Sequence, residues 1–369
     1  MAVRTIQEVP TLQTRFSFEE LRQRIDAYMA EKGLSKLGRG RMVVKAVFVL
    51  SAWVAVYTGL LVFGPQSLPL AFAGIALLVI ASLGVELGIM HDASHRAIFN
   101  GTLMNKLMGL TLTFFGGSSI LWYQQHVVRH HSYTNMPGKD PDIDSDGVFR
   151  FRDGDPWKPW HRWQHFYALP LYTLIALRWI WADDFRHAIK NTHNLKSKTM
   201  GVLVGELILS RASHILFFLV IPYMMVGRFW PVLAFYLIHW MVFGACMAVI
   251  FQLAHVTDVQ SFPEERQKSG DDWAIHQLAT TANFAVKNRF LTHLIGGLNY
   301  QVEHHIFNRF SYLHYPKIQP IVKRYCQEHG VPYFEYPSLM SAVRAHFGHL
   351  RRLARRPTAG GLRPSASTV

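Results

Sequence analysis

Cysteine is nearly absent, with Cys246 and Cys326 the only two in 369 residues. Two thiols far apart, one of them inside an apolar run, exclude a disulfide framework and a thiolate metal site. Charge is also scarce. Only 17% of residues are charged, half are hydrophobic, and mean hydropathy is +0.10. A soluble domain of this length carries more charge, so composition points to a membrane protein with substantial aqueous portions. Acidic residues are the scarcer sign, 24 against 38 basic ones, which leaves a net charge of +14. No basic-aromatic nucleic-acid module accompanies that excess, so nucleic acid is not an expected partner. Lys and Arg facing anionic membrane lipid explain it more simply. The first residues lack the hydrophobic stretch of a signal peptide, which leaves membrane insertion to the first apolar run.

Apolar runs are what the chain has in quantity. Those at 44–63, 70–90 and 231–253 meet the roughly 20 residues that a spanning helix needs, and a shorter one lies at 212–226. Tight turns at 64–67 and 227–230 pair them into two helical hairpins. Arg39, Arg41 and Lys45 stand at the start of the first run and place both termini on the cytoplasmic side. Glu86, late in the second run, is expected to face the protein interior. Two weaker stretches, 103–121 and 165–181, are expected to lie at the interface or re-enter, because an odd number of extra crossings would split the histidines between two membrane faces.

The flanks differ. Residues 1–42 read as a cytoplasmic segment. Within it Ser17-Phe18-Glu19-Glu20 has capping-box form, and Phe18, Leu21, Ile25, Tyr28 and Met29 recur at helical spacing. Residues 43–345 form the membrane domain. Residues 346–369 are basic, then rich in Gly, Pro and Ser, and are expected to be disordered.

Twenty histidines are the conspicuous surplus. His91 and His95, in HDASH, stand four apart at the end of the second run, so a helix would put both imidazoles on one face. Asp92 between them is placed to accept a ligand's free ring N–H. His126 and His130, in HVVRHH, repeat the spacing. His131 points about 100° further round and can serve a different metal. In QVEHH, Gln301 precedes His304 and His305 at the place of a third imidazole, where its amide oxygen could coordinate a metal or hold a bound water. His255 stands alone after the last run, level with the clusters. His293, two turns before the third cluster, is the best candidate for contact behind the ligands.

Eight histidines and a glutamine exceed what one tetrahedral zinc takes. They suit two metals with open positions, although imidazole does not by itself select iron over zinc, copper or nickel. Location narrows the chemistry, since a metal cluster beneath a helical bundle in a bilayer suits a lipid substrate. Taking hydrogen from an unactivated methylene needs an oxidant that side chains cannot supply but O₂ activated at two irons can.

HDASH, HVVRHH and QVEHH resemble the three histidine boxes of the membrane fatty-acid desaturases. The surrounding HHSYTN, DPDID, TTANF and GGLNYQVEHHIF agree, and the resemblance covers roughly 91–333. It implies an all-α integral membrane fold, with four transmembrane helices in two hairpins under a cytoplasmic helical cap and a narrow acyl tunnel. It implies two Fe ions on His91, His95, His126, His130, His131, His255, His304 and His305, with Gln301 in the ninth position. O₂ is the implied co-substrate and a fatty-acyl chain the implied substrate. An HPGG haem motif is absent, so electrons are expected from a separate ferredoxin or cytochrome b-type protein with its reductase. Asn308 stands where the family often has proline. A hydroxylase or ketolase on the same scaffold is the alternative outcome. A metal transporter would need polar residues in mid-span, and the runs hold few.

Two further features invite other roles. The run 142–147 reads D-x-D-x-D-G, like the opening of a calcium loop. It is flanked by prolines rather than helices, so capping or pairing with Arg150 and Arg152 is the expected role. Arg186, Lys190, Lys196 and Lys198 could meet an acyl carrier or lipid headgroups, or simply follow the positive-inside bias.

Overall fold

The computed structural model describes residues 15–191, 197–264 and 270–357. Lys196 and the ends 1–14 and 358–369 lie outside the described residues. Helix α1 (Phe18–Glu31) starts where expected, with the Ser17 hydroxyl accepting the Glu20 N–H. Helices α2 (Arg39–Phe63) and α3 (Leu68–Ser94) follow and pack on each other. The last part of α3 widens into a π-turn, Glu86–Met90, directly before the first histidine pair.

The weaker stretches give short elements of less than spanning length. They are α4 (Thr102–Gly109) with the turn Thr111–Phe114, then α5, the continuous run Ser119–Trp122, Tyr123–His130 and His131–Tyr133, then α6 (Gln164–Tyr172) and α7, the continuous run Ile175–Arg178, Trp179–Asp183 and Asp184–Asn191. Exposed Leu103 and Leu107 on α4, and Phe166 and Leu169 on α6, fit the expected interfacial placement.

Helices α8 (Thr199–Val226) and α9 (Phe229–His255) complete, among the described residues, four helices that are long and apolar enough to cross a membrane. The expected start of α8, at 212, is corrected to 199. Glu206 and Arg211 interrupt the apolar run, but inside the fold their charges are met by Ser118 and Ser119 and by Asp184, so the helix continues through them.

The C-terminal part holds α10 (Gly270–Thr280), β1 (Ala282–Phe284), α11 (Gln301–Ile306), α12 (Tyr315–Glu328), β2 (Phe334–Tyr336) and α13 (Leu339–Leu353). The two strands pair in parallel, Ala282 opposite Phe334 and Phe284 opposite Tyr336. Leu21, Ile25 and Met29 of α1 share a buried core with Val322 and Tyr325 of α12. Burying one face of that amphipathic helix is what fixes it to the domain.

The expectation of disorder from residue 346 onward is corrected as well. Residues up to Leu353 are helical, and His346, His349, Leu350 and Leu353 are buried. The basic residues mask an amphipathic pattern whose apolar side faces inward.

One close approach sets the relation between the first and third histidine clusters. Gly296 has φ +60°, and a Cβ there would lie 2.3 Å from the Leu87 carbonyl oxygen. Only glycine lets this loop rest on the π-turn of α3.

Candidate metal centre

Each histidine cluster is delivered by a different piece of backbone. The π-turn of α3 ends with the His91 N–H bonded to the Glu86 carbonyl. His95 follows as the cap residue. A second π-stretch, Tyr123–His130, carries His126 and His130, and His131 begins the next turn. His255 is the last residue of α9, and α11 carries Gln301, His304 and His305.

All nine side chains are buried and meet at one place. His91, His95, His126 and His304 form one group whose candidate ligand atoms lie within 4.8 Å of one another, and His130, His255 and His305 form a second. His131 groups with His304 and His305 and so sits between the two. The Nε2 atoms of His91 and His126 are 2.9 Å apart, and those of His131 and His304 are 3.1 Å apart.

The second ring nitrogens explain how the rings are held. His130 Nδ1–H donates to both oxygens of Asp140, each at 3.0 Å. His305 Nδ1–H donates to the Gln277 amide oxygen at 2.8 Å, and His255 Nδ1–H to the Thr280 carbonyl at 3.3 Å. With Nδ1 carrying the proton, Nε2 of neutral His255 and His305 is a lone pair, and the same contact leaves Nε2 of His130 as the atom that faces the cluster. The Nε2 atoms of His95, His130, His255 and His305, and the Gln301 amide oxygen, have no partner among the described residues. Buried polar atoms are normally paired, so this set of inward-facing acceptors fits metal ions. Ring orientation by such contacts is what metal-binding histidines require.

Electrostatics agree. Burial holds His95, His126, His131, His304 and His305 well below the usual imidazole range, and neighbouring imidazoles add to the shift. They are therefore neutral and able to ligate. For His130 burial acts downward too, but the Asp140 and Asp142 carboxylates prevail and push it up to about 9.

Asp140 and Asp142 were missed as site residues from the sequence. The acidic run does not turn to Arg150 and Arg152 as a whole; Asp153 and Asp155 do that. Asp140 is 1% exposed, and Asp142 comes within 3.3 Å of His130 Nδ1. The signal was there in DPDID, ten residues after His130, but only the folded loop aims it. Asn135 completes the loop, its amide donating to the His255 carbonyl at 2.8 Å.

Two expectations behind the ligands fare differently. Asp92 Oδ1 lies 3.7 Å from His91 Nδ1, beside the cluster but beyond hydrogen-bond length. His293 is exposed, and its Nδ1 pairs with the Tyr312 hydroxyl at 3.0 Å rather than with any of the clustered histidines. Its helical turn ends at Leu294, before the glycine-rich bend that redirects the chain into α11. The residues that do support α11 are Asn283 and Tyr333, which both donate to Glu303 at 2.8 Å.

A cavity of about 470 Å³ opens beside this centre. Arg129, Arg178, Arg186 and Lys190 lie towards its polar side, and Trp122, Phe243, Met247 and Phe251 line its apolar side. Trp122 stacks on His126 with ring centroids 4.6 Å apart, so the apolar wall reaches the centre itself.

Comparison with known proteins decides the family. Residues 65–337 match the fatty acid desaturase family model. The chain belongs to the fatty acid desaturase family. Among similar proteins, the acyl-lipid (8-3)-desaturase of Physcomitrium patens is 34% identical over 90% of this chain and 70% of its own length. The sn-1 linoleoyl-lipid 6-desaturase of Synechocystis sp. is 32% identical over 95% of this chain and 99% of its own. The Delta(5) fatty acid desaturase A of Dictyostelium discoideum is 32% identical over 73% and 60%. The desaturase is thus an oxidoreductase acting on fatty-acyl chains.

Proposed function

We propose that this desaturase holds two irons and introduces a double bond into a lipid-linked acyl chain, with the centre on the cytoplasmic face. One iron would be held by His91, His95, His126 and His304 and the other by His130, His255 and His305. His131 lies between them and Gln301 takes the ninth position. The observation that carries the reading is the convergence of eight buried imidazoles, three of which, His130, His255 and His305, have Nδ1 engaged and Nε2 unpaired among the described residues. Bound iron supplies the activation of O₂ needed to remove two hydrogens from adjacent carbons, with two electrons from a separate donor and water as product.

The chain's own residues do the rest. Asp140, Gln277 and the Thr280 carbonyl keep the ring protons on the outer nitrogens of His130, His305 and His255. Trp122 and Phe251 line the side where an acyl chain would pass and exclude water from it. Arg186 and Lys190 stand where a lipid headgroup would meet the mouth. Desaturation rather than hydroxylation or ketone formation is favoured because the similar proteins named above are desaturases. Cytoplasmic sidedness, with the two helical hairpins beneath a cap of α10 to α13, rests on Arg39, Arg41 and Lys45 at the start of α2.

Metal analysis of the purified protein in detergent tests this. About two irons per chain are expected, and His130→Ala should lose iron and turnover while still inserting in membranes. A product two mass units lighter than the substrate is expected, not one heavier by an oxygen. One zinc and no iron, after expression with ample iron, would overturn the oxidative reading.

A further inference from the structure

Glu86 is 2% exposed, and neither of its carboxyl oxygens has a hydrogen-bond partner among the described residues. Trp240 is 1% exposed, and its indole N–H is equally unpartnered. Both line the same small gap of about 10 Å³, walled by Leu112, Phe115 and Ile180. The gap adjoins the inner side of the cavity beside the histidine centre, with Ala176, Trp179, Phe243 and Met247 lining both. Along α9, Phe251 at the centre and Trp240 at the gap are separated by about 16 Å at helical rise. On α3, the π-turn sets Glu86 one turn below His91. Behind those four shared residues the acyl cavity is therefore backed by a donor and an acceptor in otherwise apolar walls.

A gap of this size admits a single water, provided polar groups bind it. A carboxyl and an indole N–H are such groups, and leaving them dry is costly. We propose that Glu86 and Trp240 hold a water at the inner end of the acyl cavity, and that this polar floor limits the length of acyl chain accepted beyond the histidine centre. The inference rests on the acyl-cavity reading above. A chain that stops short of the floor leaves the water bound. A chain one methylene longer must expel it, stripping Glu86 and Trp240 of hydrogen bonds that a methyl group cannot replace.

The test uses the iron-loaded full-length enzyme with its electron donor and a series of acyl lipids differing by one methylene. Wild-type turnover should fall sharply at one length. Glu86→Ala and Trp240→Phe should move that limit outward by at least one methylene. The first rejected chain should gain relative to the last accepted one by about fourfold, the worth of one buried methylene. Glu86→Gln, which can still bind water, should keep the wild-type limit. An unchanged limit in both variants with full iron content overturns the proposal, as does an equal fall in turnover for every chain length. If Glu86→Ala does not accumulate, Trp240→Phe decides alone. Wild-type protein without iron would instead overturn the metal reading, which the iron count registers separately.

Discussion

At the level of single residues, the proton on the outer ring nitrogen decides what each histidine can do. A neutral imidazole has one N–H and one lone pair, and the partner of the first fixes where the second points. Asp140 fixes His130 with two contacts of 3.0 Å, and its position is itself fixed by the Asn135 and Asp142 N–H groups at 2.7 and 2.9 Å. Replacing Asp140 by Asn keeps the shape but removes the charge and allows the amide to present N–H to the ring. Iron affinity should fall roughly 10- to 100-fold, as for other residues that orient metal ligands, and competition with a chelator measures it. The histidines themselves were legible in the sequence because i, i+4 spacing is a local property. Asp140 was not, because ten residues of loop separate it from its partner. His293 misled for the converse reason, since nearness in sequence to the third cluster was undone by the bend at Gly296 and Gly297, both with positive φ.

At the level of elements, the helix bearing the second cluster depends on a residue from a different helix. Glu206 of α8 accepts from the Ser119 and Ile120 N–H groups at 2.9 and 3.3 Å and from the Ser118 and Thr113 hydroxyls at 2.7 and 3.3 Å. A carboxylate at a helix start satisfies N–H groups that the helix leaves open and opposes its dipole. Here it also anchors the start of α5, the element that carries His126, His130 and His131. Glu206→Leu should leave those donors buried without acceptors, at a cost of about 1–3 kcal/mol for each orphaned group. A lowered thermal midpoint in detergent, with iron lost from the surviving protein, is the expected pair of readings. Glu206→Gln should recover part of both. The sequence shows Glu206 only as an interruption of an apolar run. That is why the third span reads as short, whereas buried partners on a neighbouring element let the helix pass through.

At the level of the whole molecule, the centre exists only because four distant pieces of chain are brought together, and the terminal helix α13 is one of the ties. His346 Nδ1–H donates to the Val256 carbonyl, next to His255, at 2.6 Å, and the Tyr172 hydroxyl of α6 meets the other ring nitrogen at 2.9 Å. His349 binds the Phe151 carbonyl at 2.8 Å, and the Leu353 carbonyl accepts from Arg150 at 3.1 Å. Composition favoured disorder here, since Arg is frequent and Gly, Pro and Ser follow. It could not reveal that His346, His349 and Leu350 share the buried side of a helix against α6 and α9. The four apolar spans, by contrast, were legible from run length alone, because a bilayer asks only for about 20 apolar residues. A chain cut after Ala345 loses these ties while keeping every span and every clustered histidine. It should therefore still enter membranes, yet bind less iron than the full chain and melt at lower temperature. Full iron content and an unchanged midpoint in the shortened chain would show that α13 merely covers the centre and does not support it.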